Sequence, residues 1–362
     1  MRIRTLAAAI LASLLVLAAC SEPEEPTAIP ARSTDSTTTA PPTTTTTTTT
    51  TAPAPPPVSP LTGQRLDPSV IARPVVAVKI DNVDGRSTPQ MGINEADVVY
   101  EIQVEGQITR LLSLFQTSLV GPVGPVRSAR GSEIAVLEEL NRPVFAWHGA
   151  NGILGPLVRQ SMVVPRSFDD VPHLYFRMGG RRAPYNSFVH GIEQLRATAP
   201  EGATGPPAPI FDFAAPGELP SAHAVPASHV TIRFPAPFGG GGGEAPVFYN
   251  WLGDKWNRSQ NGHPHVDAAG RQVAVDNVIV RFHHPLDSGT RDSAGSLVPT
   301  AQVLGSGVAW IFSKGTVTVG TWHKPHNTSR TTYVDQSGRH IKLTPGKTWI
   351  SMPYSTAGSS FG

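Results

Sequence analysis

The sequence predicts an α+β fold with a β-rich C-terminal region, and three observations carry that reading. Apolar runs of strand length, continuous or alternating, recur along the chain. The 36 prolines and 34 glycines among 362 residues favour short strands and loops over long helices. Helical spacing of apolar residues is confined to two short stretches, Ser132 to Leu140 and Gly152 to Gln160.

Before any folded element comes an export signal. Arg2 and Arg4 precede an apolar run from Leu6 to Val16, which closes on Leu17-Ala18-Ala19-Cys20. That is the order of a secretory signal. A cysteine directly after small residues marks residues 1–19 as a bacterial lipoprotein signal, with Cys20 acylated, for example by palmitate, as the mature N-terminus. The apolar run is too short for a membrane span of roughly 20 residues. Cys20 is the single cysteine. Its lipidation leaves no thiol for a disulfide, a nucleophile or a metal, and excludes a wall transpeptidase of the cysteine type. The expected location is the extracytoplasmic face of the cell membrane.

Charge sharpens this. Removing the signal removes Arg2 and Arg4, so 29 − 2 = 27 basic side chains face 27 acidic ones. A neutral chain without a Lys/Arg run carries no nucleic-acid footprint. The membrane partner is then the N-terminal lipid, and stable anchoring takes more than one acyl chain. Residues 20–59, with an unbroken threonine run from Thr43 to Thr51 flanked by prolines, cannot bury a core and read as a disordered tether.

The folded body divides into a region over 60–200, an irregular Pro/Gly-rich connection over 201–246, a β-rich region over 247–354 and a disordered tail over 355–362. Val75 to Ile80 reads as a buried strand. Ala96 to Glu105 and Ile108 to Phe115 read as a hairpin around Gly106-Gln107, and Ser132 as the N-cap of a short helix. Val144 to Trp147 is a further strand. Beyond Val247 the strand-like runs are Val278 to Phe282, Gly307 to Phe312, Val317 to Val319, Thr331 to Val334 and Ile341 to Leu343.

Motifs for chemistry are sparse. There is neither Gly-x-Ser-x-Gly nor Ser-x-x-Lys. Gly346-Lys347-Thr348 lacks the upstream glycine of a phosphate loop, because Ile341 stands there. His263-Pro264-His265-Val266-Asp267 has alternating metal-type ligands but continues with Ala268, and reads as a polar turn. No metal and no cofactor are expected. The segment Arg127-Ser128-Ala129-Arg130, just before the expected helix, is the strongest candidate. Guanidinium groups beside a helix N-terminus suit a carboxylate, phosphate or sulfate. The competing reading pairs these arginines with Asp81, Glu101 or Glu105. Arg181 and Arg182 add cations to an anion-binding set of Arg127, Ser128, Arg130, Arg181 and Arg182. His148, at a strand end, is a candidate acid/base. Glu101 and Glu105 lie four apart, which on a strand places them on one face, as a carboxylate pair for glycoside hydrolysis requires.

The chain resembles the YerB-like family of bacterial lipoproteins. The resemblance rests on Arg73 to Asn82, Glu95 to Glu101, Gly106 to Arg110 and Gly121 to Arg130. It continues through Asn261 to Asp267, Asn277 to Val280, Gly320-Thr321-Trp322 and Leu343 to Trp349. It implies two family regions, an α/β one and a β-rich one, built as a mixed layered sandwich with helices on one side of the sheets. It implies no activity, since the family is a domain of unknown function. The family pattern has histidine in the segment matching Pro184-Tyr185-Asn186, where this chain has Tyr185.

The reading that follows is a lipid-anchored envelope protein with a binding or accessory role toward an anionic cell-wall ligand. The alternatives are a hydrolase of a wall polymer, using His148 with Glu101 or Glu105, and a protein–protein scaffold. Oligomeric state is left open.

Overall fold

The apolar run after Pro74 forms strand β1, Val76–Asp81, buried along its whole length. The computed structural model describes residues 57–105, 108–238, 246–292 and 295–362. The expected lipoprotein signal, Cys20, the threonine tract and the run Gly239 to Gly243 lie outside the described residues. β1 belongs to a large mixed sheet with β2 (Val98–Gln103), β3 (Thr109–Phe115), β4 (Val144–Ala146) and β5 (Val164–Pro165) from the first half. The second half adds β6 (Asn277–Arg281), β7 (Gly305–Ser313), β8 (Thr316–Lys324), β9 (Thr332–Val334) and β10 (Thr348–Met352). The spatial order is β9-β8-β7-β6-β10-β2-β3-β1-β4-β5. The chain is mostly β with a few short helices. The expected hairpin is present as β2 antiparallel to β3. The two halves share one sheet: β10 lies between β2 and β6, parallel to both.

Because side chains alternate across a strand, this sheet carries two cores. On one face Val76, Val78, Ile80, Val99 and Trp349 meet Val230, Ile232, Tyr249 and Trp256 of a second sheet. On the other, Ala77, Tyr100, Ile102, Leu112 and Phe145 meet Ala135, Val136, Leu137 and Val158 from the helices Ser132–Leu137 and Leu154–Gln160. The second sheet runs His263–Pro264, Trp256–Gln260, Val247–Trp251, His229–Ile232, Ser360–Phe361, with Ala274–Val275 paired to Trp256–Gln260.

Four expectations need correction. Residues 355–362 are not a disordered tail: Ser360–Phe361 pairs with His229–Ile232, and Phe361 packs on Trp310 and Phe312. The connection 201–246 is not wholly irregular, since His229–Ile232 is an inner strand of the second sheet. Ile341 to Leu343 makes no ladder. It has isolated bridges only, Val334 with His340 just before it and Phe213 with its last residue, Leu343. The N-cap of the helix is Gly131, and Ser132 Oγ instead accepts the Ala301 N–H (2.9 Å).

Charges are sealed into this body. Lys79 faces the helix layer and pairs with Glu133, both fully buried. Glu101 faces the second sheet, where Arg258 Nη2 donates to it at 2.7 Å with both side chains fully buried. Trp349 Nε1 (2.9 Å), Thr109 Oγ (3.0 Å) and Ser351 Oγ (3.2 Å) also donate to the Glu101 carboxylate. Arg258→Ala leaves that carboxylate buried without its cation, which costs about 3–5 kcal/mol. Denaturant unfolding of the variant is expected to show a midpoint lowered accordingly, and a midpoint equal to the parent's would contradict this account.

Candidate functional site

The loop from Gly121 to Arg130 leaves the end of β1 with a charged rim. Its backbone is held on both sides: Asp81 N–H donates to Pro125 O (2.9 Å), Arg127 N–H to Lys79 O (2.8 Å) and Val126 N–H to Ser187 O (2.6 Å). Gly124 is obligatory, because its φ of +152° suits glycine and a Cβ there would lie 2.7 Å from the Phe188 ring. The loop so positioned presents Arg127, Ser128 and Arg130 to one cavity of about 520 Å³. Arg110 from the start of β3 and Arg291 from the hairpin Pro285–Arg291/Leu297–Ala301 complete its cationic lining, with Asn151, Glu105 and Asp292.

These cations are held by carboxylates. Arg130 Nε donates to Glu105 (2.9 Å) and its Nη2 reaches the same carboxylate, as does Arg110 Nη2 (3.3 Å). Arg127 Nε donates to Asp81 (3.1 Å), its side chain is 24% exposed, and its guanidinium carbon lies 5.7 Å from the Tyr185 ring centre. Burial alone would raise the Glu105 carboxyl, but the hydrogen bonds of Arg130 and the charges of Arg110 and Arg130 prevail and bring it down to about 2. Burial beside Arg130 lowers Arg110 to about 10, so it stays cationic at neutral pH. At the helix N-terminus the Glu133 and Ile134 N–H groups donate to Arg130 O (3.4 Å) and Gly131 O (3.2 Å), and the Glu133 carboxylate accepts the Arg130 N–H at 2.7 Å. The two sequence readings thus coexist, since the arginines are paired with Asp81 and Glu105 and still line a cavity.

Arg181 and Arg182 line a separate cavity of about 650 Å³ with Arg86 and Tyr185. His148 lies beside the first cavity, its N–H donating to Arg127 O at 3.1 Å. Its ring stacks on Phe168 (4.2 Å) and its Nδ1 meets Ser187 Oγ at 2.6 Å. Burial, then the charge of Arg177, lowers its pKa. Ser187 is buried beneath the ring and orients it.

The carboxylate pair is corrected. β2 ends at Gln103, so the alternation breaks before Glu105. Glu101 points into the inter-sheet layer, where it is fully buried, while Glu105 turns to Arg110 and Arg130. The ring nitrogens of His148 meet Ser187 Oγ and Arg177 Nη2 rather than either carboxylate. Sequence reasoning missed Arg110 and Arg291. The first had a signal, a cation at the head of an otherwise apolar strand. The second depends on a hairpin whose Pro285 to Ala301 sequence lacks strand patterning.

The histidine motif is structural. His265 Nδ1 faces an Arg258 N–H and so must accept, which leaves Nε2–H to donate to Gln90 Oε1 at 2.8 Å. Asp267 accepts from Asn94 and Arg271 and from the amides of Ala269 and Arg271. Among the described residues no three His, Cys, Asp or Glu side chains converge to hold a metal ion.

Comparison with known proteins follows the same division. The model of the DUF3048 N-terminal domain, a protein of unknown function, matches residues 61–204, and that of the DUF3048 C-terminal domain matches 242–350. The chain belongs to the DUF3048 family. It is 28% identical over 301 residues to YerB of Bacillus subtilis strain 168, described as a lipoprotein, covering 81% of this chain and 85% of that protein. The crystal structure of YerB from Bacillus subtilis superposes with a TM-score of 0.71 at 25% identity, covering 84% of this chain and 99% of the other. Among the described residues no helix is long and apolar enough to cross a membrane. In DUF3048 terms the cavity lies at a junction: Arg110, Arg127 and Arg130 come from the N-terminal domain, Arg291 and Val298 from the C-terminal one.

Burial, followed by the charge of a neighbouring arginine, holds both His265 and His283 well below the ordinary 6.5. The folded chain therefore refuses protons that the unfolded chain takes up below pH 6.5. Their stabilisation is complete above pH 6.5 and declines as pH falls below it, by about 1.4 kcal/mol per pH unit for each histidine. Thermal midpoints measured from pH 8 to pH 5 are expected to fall on the acid side, less steeply in His265→Gln; equal slopes would show that His265 is not part of the cause.

Proposed function

We propose that this DUF3048 protein is a lipid-anchored cell-envelope module that binds an anionic ligand, such as a cell-wall fragment, in the arginine-lined cavity. The convergence of Arg110, Arg127, Arg130 and Arg291 on one cavity carries this reading, together with Ser128 and Asn151 as polar neighbours. Four guanidiniums against Glu105 and Asp292 leave a cationic excess in a confined space. Arg127 is the most open of the loop cations and suits direct contact with a carboxylate or phosphate. Arg110 and Arg130, braced by Glu105, supply fixed positive potential at little conformational cost. The Leu17-Ala18-Ala19-Cys20 junction and the likeness to a protein described as a lipoprotein support anchoring through Cys20.

A binding role fits better than hydrolysis. Glu101 is inaccessible, and Glu105 is ionised and committed to two arginines, so neither supplies the protonated carboxyl that glycoside cleavage needs.

Orthophosphate, citrate and solubilised cell-wall fragments serve as probes. At about 100-fold excess over its dissociation constant, a ligand adds about 2.7 kcal/mol of stability. The expected result is an upward thermal shift with at least one probe that disappears in Arg127→Ala; an equal shift in the variant overturns the assignment. Separately, Cys20→Ala is expected to move the protein from the membrane to the soluble fraction and to abolish metabolic labelling with a palmitate analogue. Retention of both would refute lipid anchoring at Cys20.

A further inference from the structure

We propose that the basic surface is a two-cavity track for a linear polyanion without nucleobases, an inference that rests on the anion-binding reading and extends it to the class of ligand. Tyr185 joins the two cavities. The guanidinium carbon of Arg127, which lines the first, lies 5.7 Å from the Tyr185 ring centre, and that of Arg86, which lines the second, lies 6.0 Å from it. Tyr185 itself lines the second cavity. A cation from each cavity therefore flanks one aromatic ring, and positive charge continues from one space to the next.

The second cavity is the more one-sided of the two. Arg86, Arg181 and Arg182 line it, and no residue of its lining is acidic. Arg181 is committed to its walls: Nη1 donates to Ser87 O (3.0 Å) and Nη2 to Pro89 O (2.6 Å), tying the loop before Gln90 to the segment before Tyr185. Arg86 and Arg182 are exposed, and Arg86 reaches the Tyr185 hydroxyl at 3.4 Å. They are available to a ligand where Arg181 is not.

A single small anion would fill one cavity and leave the other cationic. A chain bearing anionic groups along its length answers both, and linking two such contacts raises affinity by ~10²–10⁴ over either alone. Nucleic acid fits poorly. Single strands are held by bases stacked on open aromatic faces. Tyr185 is the aromatic residue of these linings, and two guanidiniums already stand beside it.

The test is calorimetry on the full chain with orthophosphate, triphosphate, long-chain inorganic polyphosphate and a single-stranded oligodeoxynucleotide of equal charge. Affinity is expected to rise ~100-fold from triphosphate to the long chain. The double variant Arg86→Ala/Arg182→Ala, which alters two exposed side chains of the second cavity, should lose ~10-fold in long-chain affinity and so bring it toward the triphosphate value. Long-chain binding equal to the parent's in that variant overturns the track, as does an oligonucleotide that binds more tightly than polyphosphate. Orthophosphate binding that depends on Arg127 but shows no gain with length defeats the track and leaves the anion site standing. If none of the probes binds, the anion-site reading fails and the track falls with it.

Discussion

A carboxylate with no access to water has to be answered inside the protein, and Glu101 sets that demand on the fold. Its cation, Arg258, comes from the second sheet, and its other donors come from β3, from β10 and from Asn82 just after β1. One side chain therefore requires both sheets and both DUF3048 domains to be in register at once. Desolvating two charges gives back much of their attraction, so the gain lies less in net stability than in uniqueness: a slipped strand would strand a buried charge. The network then runs outward. Asn82 donates to Thr109 and to Gln260, Gln90 donates to Asn82, and His265 bridges Arg258 and Gln90. Asn82 follows Asp81, the carboxylate that holds Arg127. The arginine-lined rim is thus built on the same buried polar framework that fixes the core.

The cavity repeats this logic at lower burial. Positive charge is concentrated without leaving the guanidiniums loose, because Glu105 and Asp81 hold one edge of each loop arginine. Arg130 is closed off further, its Nη1 donating to Ala129 O at 2.8 Å, whereas Arg127 is anchored through Nε alone and keeps the other edge of its fork open. The same carboxylates limit the net charge, so this cationic lining coexists with a sequence whose formal charge is only +2.

Local pattern made β1 to β4, the β2–β3 hairpin, the short helices and the Arg127-to-Arg130 segment legible, because each is specified by neighbours in sequence. What stayed hidden is specified by distant partners. Thr348–Met352 reads as an ordinary terminal run, yet it is buried at the centre of the sheet. His229–Ile232 sits in a Pro-rich stretch and becomes a strand because Val247–Trp251 and Ser360–Phe361 pair with it on either side. Phe361 looks like the end of a tail until Trp310 and Phe312 receive it. For the site, residue type identified the loop arginines, but only topology could add Arg291 or withdraw Glu101.

The position of β10 also dictates an order of assembly. β2 pairs on one side with β3, close by in sequence, and on the other with β10, near the end of the chain. Until Thr348–Met352 has been made, β2 has an open edge, Glu101 has neither Trp349 nor Ser351, and Trp349 cannot fill its core. The N-terminal half therefore emerges as a sheet with an unfinished edge, the kind of surface that recruits stray strands. Its closure spans most of the chain and is slow by topology. A truncation before Thr348 therefore reaches beyond the C-terminal domain: it leaves β2 with an open edge and Glu101 without its Trp349 and Ser351 donors.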